Sequence, residues 1–310
     1  MSVSAIELSD IELAVKISGL QSFTGNYKEL GGGEVNDTFI LDCEGCQAIL
    51  RITRYSDVRN LHQEAKALSL LDLTQVPKLI YYDETKLIKD RAWIVESYIE
   101  GSSVDKLSLV QFRSLGRLLA QVHKVSSSNQ VKLDLWYNFL DASQHFGNEQ
   151  TLLNHPDSQT QALIRKGHDY FQSQHFGDVT PSLVHGDVTL SNMLISGEQV
   201  SLIDWEFSKF KDPMADFSTM FYDDMEYNKG KWRIHIKPEE KVALFDGYTS
   251  AGGVVDEQRL KVWLTLDKLG AAVYLYWKIN QSGHETTDEQ LAQYRIDLAN
   301  LTQSLEGNLT

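Results

Sequence analysis

The stretch "VHGDVTLSN", Val184–Asn192, places His185, Asp187 and Asn192 within one short polar segment, and its reading decides what the chain folds into. Turn chemistry alone explains part of it, because Asp, Asn, Ser and Gly satisfy exposed backbone groups in any sharp bend. The flanks say more. Apolar "SLVH" precedes it and "VSLIDW" follows, so the segment reads as a polar loop between short strands.

Asp187 is followed five positions later by Asn192, and Asp204 ends the apolar run "VSLI". A hairpin with an acidic group on each arm would bring these three polar heads together. Oxygen donors of Asp and Asn suit the hard ion Mg2+, which leaves one carboxylate to act as a base. H-x-D-x-x-x-x-N with a later Asp after a strand is the spacing that kinase-like phosphoryl transfer uses: one Asp for the hydroxyl proton, an Asn and a second Asp for magnesium on the nucleotide phosphates.

Further from the loop, the periodicity changes along the chain. "NDTFILDC" and "QAILRITR" read as strands and "AWIVESYI" as another, while Leu61, Ala65, Leu68 and Leu71, with Val58, mark "DVRNLHQEAKALSLLD" as an amphipathic helix. Beyond "ESYIEGSS" the pattern is helical. In "SLVQFRSLGRLLAQVHKV" Leu115, Leu118, Leu119 and Val122 share one face, and "KVWLTLDKLGAAVYLYWKI" and "DEQLAQYRIDLANLTQSL" follow. The expected organisation is α+β: a small β-rich lobe over residues 1–96, a hinge at 97–101 and a larger, mostly helical lobe over 102–310.

Cys43 and Cys46 form a C-x-x-C that is open in principle to redox or zinc chemistry. No second cysteine pair supplies the remaining thiolates of a zinc site, and the apolar flanks make Glu44-Gly45 the tip of a hairpin. The structural reading is preferred.

The 310 residues carry a formal charge of −14, which argues against nucleic acid as partner and favours cationic small molecules. The longest apolar segment is interrupted by Asp267 and Lys268, a poor membrane span, and the N-terminus lacks the pattern of a secretory signal. A cytoplasmic protein is expected. The oligomeric state stays open.

"LVHGDVTLSNML" with "VSLIDWEFSKFKDPMADFS" resembles the aminoglycoside phosphotransferase and choline kinase superfamily, whose hallmark is H-G-D-x-x-x-x-N followed by I-D-W-E. "LGRLLAQVHKV" resembles the helix before that family's catalytic loop, and "LGGGEVNDTFIL" its nucleotide loop. The resemblance implies a protein-kinase-like bilobal fold and an ATP-dependent transfer to a hydroxyl of a small molecule. It assigns the base to Asp187 and magnesium to Asn192 and Asp204. It assigns nucleotide binding to Gly32, Gly33, Asn36, Arg51, Glu64, Glu96 and Tyr98. Arg51 and Glu64 stand where kinase-like folds keep a Lys and Glu pair; Arg holds a permanent charge and grips phosphate oxygens in a fork.

The remaining expectations are less direct. His185 is read as a brace of the loop, Asp216 as a brace through backbone amides, Trp205 as core, and Glu206 as a magnesium ligand, an acceptor contact or a solvent-facing group. Asp223, Tyr227, Trp232 and Trp277 are candidates to surround an acceptor of choline, ethanolamine or aminoglycoside type, with Trp263, Tyr274 and Tyr276 in the same aromatic segments. The alternatives are a neutral metabolite or macrolide acceptor, or a nucleotide-binding pseudokinase. An intact base and intact metal ligands speak against the last.

Overall fold

The computed structural model describes residues 5–30, 36–54, 59–218, 220–221, 236–280 and 287–309. The elements are α1 (Leu8–Ser18), β1 (Phe23–Leu30), β2 (Asn36–Cys43), β3 (Cys46–Thr53), α2 (Arg59–Leu70), β4 (Leu79–Ile88), β5 (Arg91–Ser97), α3 (Leu109–Val122), β6 (Val131–Lys132), α4 (Leu135–Ala142), α5 (Glu149–Leu153) and α6 (Ser158–Ser173). They continue as β7 (Asp178–Val179), β8 (Ser182–Val184), β9 (Met193–Ser196), β10 (Gln199–Leu202), β11 (Lys209–Lys211), α7 (Ala215–Ser218), α8 (Pro238–Ser250), α9 (Glu257–Asn280) and α10 (Asp288–Asn308). Among these residues no helix is long and apolar enough to cross a membrane.

By internal packing the chain forms two units. One comprises residues 1–104, 185–187 and 192–209; the other comprises 105–184, 188–191 and 210–310.

The first unit is built on an antiparallel sheet in the order β1-β2-β3-β5-β4. Alternation in "NDTFILDC" and "QAILRITR" puts Phe39, Leu41, Leu50 and Ile52 on a buried face, where they meet Trp93 and Val95 of β5 and Ile11 and Ala14 of α1. That burial is what makes α1 a helix on the sheet rather than a free amphipathic segment. Leu61, Ala65 and Leu68 of α2 are buried as their spacing requires, and Leu71 is buried just past the helix end; Val58 lies outside the described residues.

The hairpin expected to carry an acidic group on each arm is instead β9–β10, with Asn192 leading into one arm and Asp204 following the other. β10 pairs antiparallel with β9, Val200 opposite Ile195 and Leu202 opposite Met193, rather than with the "SLVH" strand β8. The reason is local: Gly197, at φ +59°, lets "ISGEQV" turn within a tight hairpin, which closes at lower entropic cost than a pairing across the whole polar loop.

The second unit is helical. Ser108 caps α3, accepting from the Gln111 N–H while Gln111 Oε1 accepts from the Ser108 N–H, and Leu115, Leu118, Leu119 and Val122 are buried as expected. Gly116 and Gly247 let α3 and α8 approach at backbone distance. A Cβ at Gly116 would lie 2.0 Å from the Leu244 carbonyl oxygen, and one at Gly247 would lie 2.1 Å from that of Arg113.

Candidate active site

The loop residues His185, Gly186 and Asp187 belong to the first unit together with Asn192 and the β9–β10 hairpin. His185 is fully buried, 4.6 Å from the Trp205 ring. Its Nδ1 accepts from the Asp187 N–H at 3.2 Å, so the ring proton sits on Nε2, which donates to the Ile203 carbonyl at 3.0 Å. The histidine thereby ties the start of the loop to the end of the hairpin, the bracing role read from the sequence. Gly186 has φ +83°, and a Cβ there would meet the Phe207 carbonyl oxygen at 2.3 Å. Only glycine suits both demands.

Asn192 is buried, and its Nδ2 donates to Asp187 twice, to the backbone oxygen at 3.0 Å and to Oδ2 at 2.8 Å. With Nδ2 turned to Asp187, Oδ1 is the amide atom left to meet a cation. The Asn192 carbonyl accepts from the Ile203 N–H, extending the hairpin by one step and setting Asp204 just beyond it. Asp204 has φ +66°, a left-handed conformation that Asp tolerates better than most residues and that costs of order 1–3 kcal/mol when the surroundings impose it. The imposing contacts are visible: Trp205 N–H donates to Glu64 Oε1 at 3.0 Å, and Asp204 Oδ1 accepts from Arg51 Nη1 at 3.0 Å.

Arg51, on β3, is buried against three carboxylates. Nη2 is ion-paired with Glu64 Oε2, Nε lies 3.6 Å from Glu96 Oε1, and Nη1 meets Asp204. Desolvation alone would lower the guanidinium pKa, but Glu64, Glu96 and Asp204 together hold it well above its ordinary value. Burial raises the Glu64 carboxyl against the pull of Arg51, and burial pushes Glu96 up to about 8. Glu96 Oε2 and Asn36 Oδ1 are buried without a hydrogen-bond partner among the described residues, an arrangement that costs stability unless something else occupies the site. Tyr98 follows β5, its N–H donating to the Gln47 carbonyl at 3.2 Å.

The first unit therefore brings Asp187, Asn192, Asp204, Arg51, Glu64 and Glu96 into one connected set. Glu206 is half-buried two residues past Asp204. Gly32, Gly33, Asp223, Tyr227 and Trp232 lie outside the described residues.

Asp216 and Trp277 belong to the second unit. The Asp216 carboxylate accepts from His123 Nε2 at 3.0 Å, and His123 Nδ1 accepts from the Tyr248 hydroxyl at 2.8 Å, whose pKa is pushed up by burial and by Asp216. Trp263 is core: its Nε1 donates to Asp212 Oδ2 at 3.0 Å, and Arg259 closes on the same carboxylate. Trp277 packs beside Phe146 and Tyr274, and Lys278 Nζ stands 5.4 Å from its ring and 5.5 Å from that of Tyr274. A cavity of about 340 Å³ is lined by Leu163, Arg295, Leu298 and Tyr276, the last of which belongs to an aromatic segment read from the sequence.

Supports that the sequence reading missed include Asp37, which accepts from Arg54 Nε at 2.8 Å and Arg91 Nη1 at 2.9 Å, and Gly101, whose Cβ would meet Leu194 at 2.9 Å. A lone Asp in a strand and a lone glycine after one carry no local signal of such roles.

A five-stranded antiparallel sheet with a helix-borne Glu on a strand-borne Arg, and a hairpin presenting Asn192 and Asp204, defines a phosphotransferase of protein-kinase-like fold. Residues 26–263 match the phosphotransferase enzyme family, APH, and the chain belongs to it. It is similar to Protein LicA of Haemophilus influenzae, 22% identical over 195 residues, which covers 61% of this chain and 56% of LicA. Among solved structures it is similar in fold to a choline/ethanolamine kinase family protein from Mesorhizobium loti, with TM-score 0.63 and 17% identity over 98% of each chain. It also resembles the spectinomycin phosphotransferase APH(9)-Ia, determined with ADP and spectinomycin, with TM-score 0.62 and 16% identity over 98% of this chain and 99% of that one.

Proposed function

We propose that the protein transfers the γ-phosphoryl group of ATP to a hydroxyl of a small, cationic acceptor, with magnesium. The observation that carries this reading is the coupling of Asp187 to Asn192 at 2.8 Å beside an Asp204 held by Arg51. Asp187 takes the acceptor's proton as its oxygen attacks, and Asn192 fixes the carboxylate's direction meanwhile. Arg51 holds phosphate oxygens, and Glu64 holds Arg51. Residues 1–96 supply nucleotide contacts through Asn36, Glu96 and the Gly32-Gly33 loop, the hinge at 97–101 adds Tyr98, and 102–310 carries the acceptor groups.

The donor set suits magnesium. Asn192 Oδ1 and the Asp204 carboxylate are hard oxygens, two donors set by one hairpin. Mg2+ prefers such a sparse site, keeping waters and phosphate oxygens as its other ligands. Bound there, the ion neutralises phosphate charge. The buried orphan oxygens of Asn36 and Glu96 likewise suit a site completed by a ligand.

A neutral acceptor has one observation in its favour: Lys278 already occupies the ring faces of Trp277 and Tyr274. The experiment is an ADP-release screen with Mg-ATP against choline, ethanolamine, aminoglycosides, macrolides and neutral alcohols. Turnover with cationic alcohols alone is expected. Turnover confined to neutral alcohols overturns the cationic acceptor, and no ADP release with any acceptor favours a nucleotide-binding pseudokinase.

A further inference from the structure

The hairpin joining β2 to β3 sets the two cysteines face to face. Cys43 ends one strand, Cys46 begins the next, and they are direct register partners across Glu44-Gly45, with Gly45 at φ +77°. Directly opposed residues of an antiparallel pair have Cα atoms about 4.5–5.5 Å apart. A disulfide spans about 4.4–6.8 Å between Cα atoms, so a directly opposed pair falls within its reach. The Cys43 thiol donates weakly to the Leu41 carbonyl at 3.9 Å, and the Ser22 hydroxyl and the Cys46 thiol influence its ionisation. Both cysteines are free; Cys46 is exposed and Cys43 buried. The hairpin expected from the sequence is thus real, and it is also what brings the sulfurs together.

We propose that Cys43 and Cys46 form a reversible redox site, closing to an intrachain disulfide by exchange with a small-molecule disulfide and reopening with the corresponding thiol. The Cys46 thiolate, accessible to solvent, attacks one sulfur of the small disulfide; that S–S bond breaks and one half leaves as a thiol. Cys43 then gives up its proton and attacks the Cys46 sulfur, expelling the second half as a thiol. Two electrons pass from the cysteine pair to the small disulfide, which becomes two thiols. Burial raises the Cys43 thiol, which makes it a poor first attacker, while the Ser22 hydroxyl supports its thiolate once Cys46 is loaded. The closed bond locks the β2–β3 register in which Thr38 faces Arg51. This inference is independent of the proposed reaction, because its readout is sulfur chemistry.

The test equilibrates the full chain in glutathione buffers from fully reduced to fully oxidised, followed by alkylation, intact mass and peptide mapping. Both thiols are expected to disappear together as a Cys43–Cys46 linked peptide, with no glutathione retained and full return under reduction. Cys43→Ser should keep one glutathione on Cys46, and Cys46→Ser should stay unmodified. A wild-type chain that holds a stable glutathione on Cys46, links to a second copy, or stays reduced throughout overturns the site; the linked peptide in wild type decides the matter even where a variant folds poorly.

Discussion

Arg51 faces more negative charge than it can neutralise, with Glu64, Glu96 and Asp204 all on one guanidinium. Burial, reinforced by the Glu64 and Asp204 carboxylates, raises the Glu96 carboxyl against the pull of Arg51. Its folded pKa is about 8 against an ordinary 4.5, so between those values the native state binds a proton that the unfolded chain does not. Its contribution to stability is therefore full below pH 4.5 and is lost as pH rises through about 8. Glu96→Gln keeps the shape and removes the titration, so its melting temperature should vary less across that window than the wild type's. Parallel curves for the two proteins would exclude Glu96 as the source. Asp187→Asn preserves an oxygen acceptor for Asn192 but abolishes the base, so turnover should fall roughly 10²–10⁴-fold with nucleotide binding retained. Steady-state kinetics with ATP-binding calorimetry check this, and undiminished turnover would remove Asp187 from the chemistry.

Between elements, close approach replaces side-chain interdigitation at one contact. The α3–α8 crossing relies on Gly116 and Gly247, where a methyl group would enter a neighbouring carbonyl. Gly116→Val should destabilise the protein by at least about 1–3 kcal/mol, because rigid backbone on both sides leaves nowhere for the added carbons. A urea midpoint equal to that of wild type would show that the helices can separate cheaply. The β9–β10 hairpin is the other decisive element, since its register sets Asn192 and Asp204 at adjoining positions. Asp204→Ala should leave too few oxygens to hold magnesium, and activity should stay near zero at any Mg2+ concentration. Recovery to wild-type rates at high Mg2+ would move the metal site elsewhere.

Across the whole chain the net charge of −14 produces a field that attracts cations over roughly a Debye length, about 8–10 Å at ordinary salt. A cationic acceptor should consequently show a KM that rises with added salt, whereas that of a neutral acceptor stays flat. Measuring acceptor KM at low and high ionic strength separates the two.

The residue order alone determined β2, β3 and β5, the faces of α2 and α3, and the family. Those depend on periodicity and on a motif whose members lie within a few residues of one another, so local spacing is sufficient. It also singled out Arg51 and Glu64 as a pair. The hairpin partner of "VSLI" needed the tertiary structure, because the pairing of β10 with β9 and the positive φ of Gly197 that closes their turn are seen only in the fold. Likewise Glu96 as a third partner of Arg51, the bond from Trp205 N–H to Glu64, and the Lys278 ammonium over Trp277 arise from groups that meet only when separate strands and helices pack. Burial turned these meetings into shifted pKa values and orphaned oxygens. Desolvation is a property of the packed environment, and no run of neighbouring letters encodes it.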